Sequence, residues 1–193
     1  MEKSLLLVGV GGQGTILVSK IISEGLLNNG YDVKMSEIHG MAQRGGSVTT
    51  QIKFGEKVYT SSIGQGEADV LVAFEKVEAA RYIGQLKKDG VLVVNNEEMY
   101  PLPVLAGLEE YPFNVMKELK DKVENMKVID ASKIAEELGE PRSQNIVMLG
   151  ALVKALDLES IEWTKLIKQY LPERFHEVNI RAFERGSSFE RNI

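Results

Sequence analysis

A short apolar run, LLLVGV at residues 5–10, breaks into GGQG and resumes as TILVSKIISEGLL with its apolar residues at helical spacing. A buried strand handed to an amphipathic helix through glycines constrains the chain to an α/β fold, with the turn at the carboxyl end of the first strand. The strand is expected over residues 4–10. The helix is expected from Thr15, with Leu17, Ile21, Ile22 and Leu26 facing the sheet and the NNG at 28–30 stopping it. Gly9, Gly11 and Gly14 have the spacing G-x-G-x-x-G. On this reading Gly9 permits a tight turn, Gly11 lets a phosphate approach the backbone, and Gly14 packs helix on strand. With Gly12 between them, the first N–H groups of the helix form an anion site. Gln13 either bonds a ligand or fixes the loop. The pattern alone does not select NAD, FAD or coenzyme A, and a structural turn needs the same glycines.

A second strand is expected over residues 32–37, placing Glu37 where a dinucleotide fold holds an acid for a ribose hydroxyl. SEIHGMAQRGGSV, residues 36–48, then sets His39, Gln43 and Arg44 among glycines. Loops at the carboxyl ends of the strands line the crevice of such a sheet, so this one should face the glycine loop. Arg44 suits a phosphate or carboxylate, and Gly45 and Gly46 suit a backbone nest. Surface or packing roles for these residues stay open. SVTTQIKFGEKVYTSS reads as a hairpin turning at Gly55 and Glu56. A βαβ unit follows: strand 68–74, helix 76–86, a stop at Asp89-Gly90 and strand 91–95. A helix over 113–124, a strand over 127–131 and a helix from Ser132 lead to a helical last third: one helix from Ser143, then 160–170 and 177–185. The expected architecture is α/β: a Rossmann-like, doubly wound, mostly parallel sheet with an antiparallel hairpin and a helical C-terminal third. Residues 1–193 are read as one domain.

The composition excludes several functions. A net charge of −5 argues against a general nucleic-acid binder. No stretch approaches the roughly 20 apolar residues of a membrane span. No cysteine is present, so no disulfide or thiolate-held cluster is expected. With only His39 and His176, no metal site is assigned, and cytoplasmic residence is the simplest expectation.

The pair of motifs GVGGQG, at residues 9–14, and SEIHGMAQRGGSV resembles the gamma domain of the pyruvate and 2-oxoacid ferredoxin oxidoreductases. Within it, the resemblance is to the beta subunits acting on indolepyruvate. It extends to ADVLVAFE at 68–75 and NIVMLGAL at 145–152, most of the chain. It implies a subunit of an enzyme that oxidatively decarboxylates an aryl 2-oxoacid to an acyl-coenzyme A and passes electrons to ferredoxin. Thiamine diphosphate and iron–sulfur clusters then belong to a large catalytic partner subunit. This chain would close the active site and contact coenzyme A through the glycine loop and Arg44. No catalytic residue is assigned here, and a homodimer of the isolated chain is conceivable. Competing readings are a self-contained NAD(P)- or flavin-dependent oxidoreductase and a nucleotide-binding regulatory module.

Smaller signals are weighed separately. GQG at 64–66 reads as a turn. Asn145 suits a helix cap near Ser143, with a site role open by resemblance. Gly150 inside a helix implies close packing, and His176 is placed on a solvated face. PLPVLAGLEEYPF, residues 101–113, is either an interaction surface or a buried connection. The end, RGSSFERNI, is expected to fray.

Overall fold

A computed structural model of the chain describes residues 2–40 and 45–188. Six strands form one sheet: β1 (Lys3–Val10), β2 (Asp32–His39), β3 (Ser47–Gly55), β4 (Ala68–Ala73), β5 (Leu86–Asn95) and β6 (Met126–Ile129). Their order is β2-β3-β1-β4-β5-β6. β1, β4, β5 and β6 are mutually parallel, whereas β3 runs antiparallel to both β1 and β2. The helices are α1 (Thr15–Asn28), α2 (Lys76–Tyr82), α3 (Leu102–Leu105), α4 (Val115–Lys122), α5 (Ala131–Glu137), α6 (Gln144–Ala155), α7 (Trp163–Tyr170) and α8 (His176–Ser187).

Near-continuous apolar strands need cover on both faces. Leu5, Leu7, Val72 and Val93 pack on one side with Val18 and Ile22 of α1, Ile146 and Leu149 of α6, Trp163 of α7 and Phe183 of α8. Leu6, Val8, Leu71 and Val94 pack on the other with Ala79 of α2 and Val115 and Leu119 of α4. Successive residues of β1 therefore serve opposite cores, as the two-residue period of a strand dictates.

Two expectations change. The antiparallel hairpin is β2–β3, joined through residues 40–46, and no strand follows Gly55 until Ala68. β3 is flanked on both sides, so its alternation belongs to a strand inside the sheet, while residues 56–67 are held by side chains: Asp32 accepts from Val58 N–H at 3.0 Å and Gln51 from Ile63 N–H at 2.8 Å. The second concerns β5, which starts at Leu86, ahead of Asp89-Gly90. The ladder to β4 slips between Ala68 and Val70, so those residues form an irregularity within a strand. The helix before it is correspondingly short, closing as a 3₁₀ turn over Ile83–Gln85.

Candidate functional site

Gly9 sits inside β1, opposite Val48. A Cβ there would lie 2.9 Å from Gln13 Oε1 and 2.9 Å from Thr15 Cγ2, so the glycine is needed for close packing beneath the loop rather than for the turn. Gln13 spends its amide inside the protein: Oε1 accepts from Val10 N–H at 2.8 Å and Nε2 donates to Phe74 C=O at 2.9 Å. Asn95 also donates to that carbonyl and accepts from Ala131 N–H. One polar chain thus ties the ends of β1, β4 and β5 together and fixes the loop.

Beyond Gln13 the backbone turns left-handed, with Gly12 at φ 106° and Gly14 at φ 78°. Gly14 caps α1 without any side-chain hydrogen bond, leaving this helix end for an anion. A Cβ on Gly14 would fall 2.3 Å from Asn145 Nδ2, so Gly14 makes room for α6 and not for a strand.

The second loop reaches the first. Gly11 N–H donates to Gly46 C=O at 2.8 Å and Gly45 N–H to Gly11 C=O at 3.4 Å, with Gly45 at φ 78°. Beside this junction lies a cavity of about 410 Å³ lined by Gly11, Gly12, Gly14, Thr15, Ile16, His39 and Val48. His39 is exposed, with Nδ1 3.3 Å from Gly40 C=O. Gln43 and Arg44 lie outside the described residues. Glu37 is elsewhere: it pairs with Thr50 on β3 and accepts from Ser19 Oγ of α1 at 3.0 Å. With β3 between β2 and β1, Glu37 stands two strand spacings, about 10 Å, from the glycine strand. It does not occupy the place next to β1 where a dinucleotide fold keeps its ribose-binding acid.

On the other side of the Gly45–Gly46 ridge a second cavity, of about 530 Å³, includes Ser47, Glu75, Glu78, Arg81 and Tyr100. Glu75 caps α2 by accepting from Glu78 N–H at 2.9 Å, and also accepts from Tyr111 O–H at 2.6 Å. Glu78 accepts from Ser47 Oγ and pairs with Arg81 at 3.2 Å. Burial pushes the Glu78 carboxyl above its ordinary value; Ser47 and Arg81 oppose the rise and Glu75 adds to it. Burial, then Glu75, raises the Tyr111 phenol. Sequence reading missed this group. An acid directly before KVEAARY is a readable helix cap, but its partner Tyr111 is 36 residues away.

Among the smaller signals, Gly150 and Gly186 bring α6 and α8 into contact: a Cβ on Gly150 would lie 2.2 Å from Phe183 C=O. Gly66 turns at φ 68° and donates to Gly84 C=O, ahead of β4 and away from the glycine loop. Ser143 does not cap α6 through its side chain; Oγ donates to Glu140 C=O. His176 is half-buried with Nε2 2.8 Å from Leu171 C=O, rather than solvated. In the 101–113 stretch Tyr111 is buried, whereas Leu102, Leu105, Leu108 and Phe113 are 77%, 68%, 80% and 73% exposed. The tail beyond Ser188 is outside the described residues.

The sequence profile of the family described as "Pyruvate ferredoxin/flavodoxin oxidoreductase" matches residues 4–189. The chain is 38% identical over 192 residues to "Indolepyruvate oxidoreductase subunit IorB" of Thermococcus kodakarensis, covering 96% of this chain and 94% of that one. The protein of the same name in Methanothermobacter thermautotrophicus is 38% identical over 190 residues, covering 96% of each. Among solved structures, the gamma subunit of a keto/oxoacid ferredoxin oxidoreductase from Geobacter sulfurreducens superposes with TM-score 0.72 at 22% identity, covering 96% of this chain and 94% of that one. A 2-oxoglutarate:ferredoxin oxidoreductase from Magnetococcus marinus, with 2-oxoglutarate, coenzyme A and succinyl-CoA bound, gives TM-score 0.72 at 20% identity; it covers 98% of this chain and 32% of the longer one.

Proposed function

The chain belongs to the pyruvate ferredoxin/flavodoxin oxidoreductase family, and on that premise we propose that it is the small subunit of an indolepyruvate ferredoxin oxidoreductase whose glycine edge closes the active site and holds coenzyme A. The carrying observation is the Gly11–Gly46 backbone bond, which joins the two glycine-rich loops into one wall beside the uncapped end of α1. A diphosphate suits that helix end, where N–H groups and the helix dipole favour negative charge. Gly12, with open space where a Cβ would stand, allows an approach to the backbone. Thiamine diphosphate and iron–sulfur clusters, carried by the large subunit, supply the decarboxylation and the electron path when bound. The residues of this chain orient the thioester-forming partner and exclude water.

The segment over residues 100–113 supports a subunit role. Its backbone is internally bonded, with Leu108 N–H on Pro103 C=O at 2.9 Å and Gly107 N–H on Val104 C=O at 3.0 Å, and the buried Tyr111 anchors it to Glu75. Its leucines nonetheless face outward on this ordered frame. Residues 91–116 contain Glu97, Glu98, Glu109 and Glu110 and no Lys or Arg. Lys76 neutralises Glu98 at 2.8 Å and Arg81 stands beside Leu102 and Leu105. The remaining acids of the segment, Glu97, Glu109 and Glu110, give a second copy of this face no excess of positive charge to meet. The large subunit, presenting an apolar surface edged by Lys or Arg, is the partner it fits.

The test is arylpyruvate-dependent reduction of a viologen dye, with coenzyme A and thiamine diphosphate, by this chain alone and mixed with the large subunit. Activity confined to the mixture is expected. Dye reduction by this chain alone, or an inactive mixture alongside nicotinamide binding by the chain alone, would overturn the reading.

A further inference from the structure

The first turn of α1 separates two cavities. On its far side from His39 lies a space of about 390 Å³ whose lining includes Leu17, Arg142, Asn145, Leu171, Arg174 and Phe175. Asn145 links the two, since its amide is the group that a Cβ on Gly14 would strike.

Asn145 is only 7% exposed, yet its side chain makes no hydrogen bond to any described residue. Its polar atoms are not fully enclosed, so the amide keeps access to the cavity it lines. It stands beside the uncapped start of α1 and opens into the second cavity, a position suited to a ligand on that helix end. The charge in the cavity is asymmetric. Arg142 is held twice by Glu140, Nε to Oε1 at 2.8 Å and Nη2 to Oε2 at 3.0 Å. Arg142 and Arg174 both lie over the Phe175 ring, at 5.1 and 4.7 Å from its centre, and Glu140, which also lines the cavity, feels the charge of both; Arg174 itself has no carboxylate within 4.0 Å among the described residues. Its guanidinium is exposed and its planar fork is matched to a phosphate. Leu17, Leu171 and Pro172 give the same cavity an apolar wall.

We propose that this cavity is a phosphomonoester subsite: Asn145 donates its amide N–H to the diphosphate at the start of α1, and Arg174 binds a phosphate at the nucleoside end of the same ligand. The inference rests on the coenzyme A reading above, because coenzyme A carries both a diphosphate and a separate 3′-phosphate.

The experiment is calorimetric titration of the assembled two-subunit enzyme with coenzyme A and with dephospho-coenzyme A, which lacks only that phosphate. The intact enzyme is expected to bind coenzyme A about tenfold more tightly, the equivalent of about 1.4 kcal/mol. Arg174→Ala should remove the preference by weakening coenzyme A alone, and Arg174→Lys should restore part of it. Asn145→Ala should weaken both ligands alike. Asn145→Asp, which keeps the shape and adds a negative charge, should weaken both further, with unfolding midpoints showing that each variant is folded. Equal affinity of the intact enzyme for the two ligands, or an Arg174→Ala variant that keeps the preference, overturns the subsite and leaves the coenzyme A reading standing. Binding of neither ligand overturns that reading and the subsite with it.

Discussion

Glu78 combines a buried carboxyl with a raised proton affinity. Between the ordinary glutamate value, 4.5, and its higher folded-state value, the native protein holds more proton than the unfolded chain. Stability therefore falls as pH rises through that window and is flat above it. Denaturant unfolding of Glu78→Gln across the same window should show this decline removed, because the amide keeps the shape and cannot ionise. Persistence of the same slope in the variant would place it on another group. At this scale legibility followed sequence distance. The glycines of the loop were readable because the strand and helix on either side are contiguous with them. The lack of a partner at Asn145 was not, since its nearest consequence is at Gly14, more than a hundred residues earlier. Gln13 was legible as a choice between two roles; what decided it was Phe74, which belongs to another strand.

Among the elements, α6 and α8 are joined through their backbones. A Cβ on Gly186 would lie 1.9 Å from Val147 C=O, the reciprocal of the Gly150 contact. Neither neighbour is a flexible side chain that can swing aside. Gly150→Ala should cost about 1–3 kcal/mol in chemical unfolding through forced separation of the helices, even though alanine favours an isolated helix. A neutral or stabilising result would show that the pair can re-space freely. Gly150 gave this away in the sequence by standing in an otherwise apolar helix; its partner in RGSS did not. The misplaced hairpin has a different origin. An alternating run fixes which faces of a strand are buried, but not which neighbour pairs with it. Val48, Thr50, Ile52 and Phe54 alternate alike whether the returning strand comes before or after them, and only the pairing of β3 with β1 as well as β2 settles the topology.

At the scale of the molecule, the leucines of residues 101–113 present a surface that the fold of the described residues does not require. Leu105→Asp combined with Leu108→Asp should leave unfolding of the isolated chain within about 0.5 kcal/mol of the wild type, as expected for exposed positions. The same pair should lower affinity for the large subunit at least tenfold in a sedimentation or biosensor titration. A paired variant that assembles normally would move the contact elsewhere, and an unaffected assembly with altered self-association would point to a second copy instead. The doubly covered sheet was legible as a whole because alternating strands and helices leave few ways to bury both faces. The orientation of residues 101–113 was not, because prolines and leucines suit a surface frame as well as a buried connection.

The first strand is also covered by the last helices: Leu5 and Leu7 share their core with Ile146, Trp163 and Phe183. A growing chain has β1, β2 and β3 available for pairing once residue 55 has emerged. The apolar face of that half-sheet has only α1 over it until α6, α7 and α8, residues 144–187, are synthesised. Completion of this core is thereby tied to synthesis of its last three helices, and a chain released before them carries a half-covered sheet into the hands of chaperones and proteases.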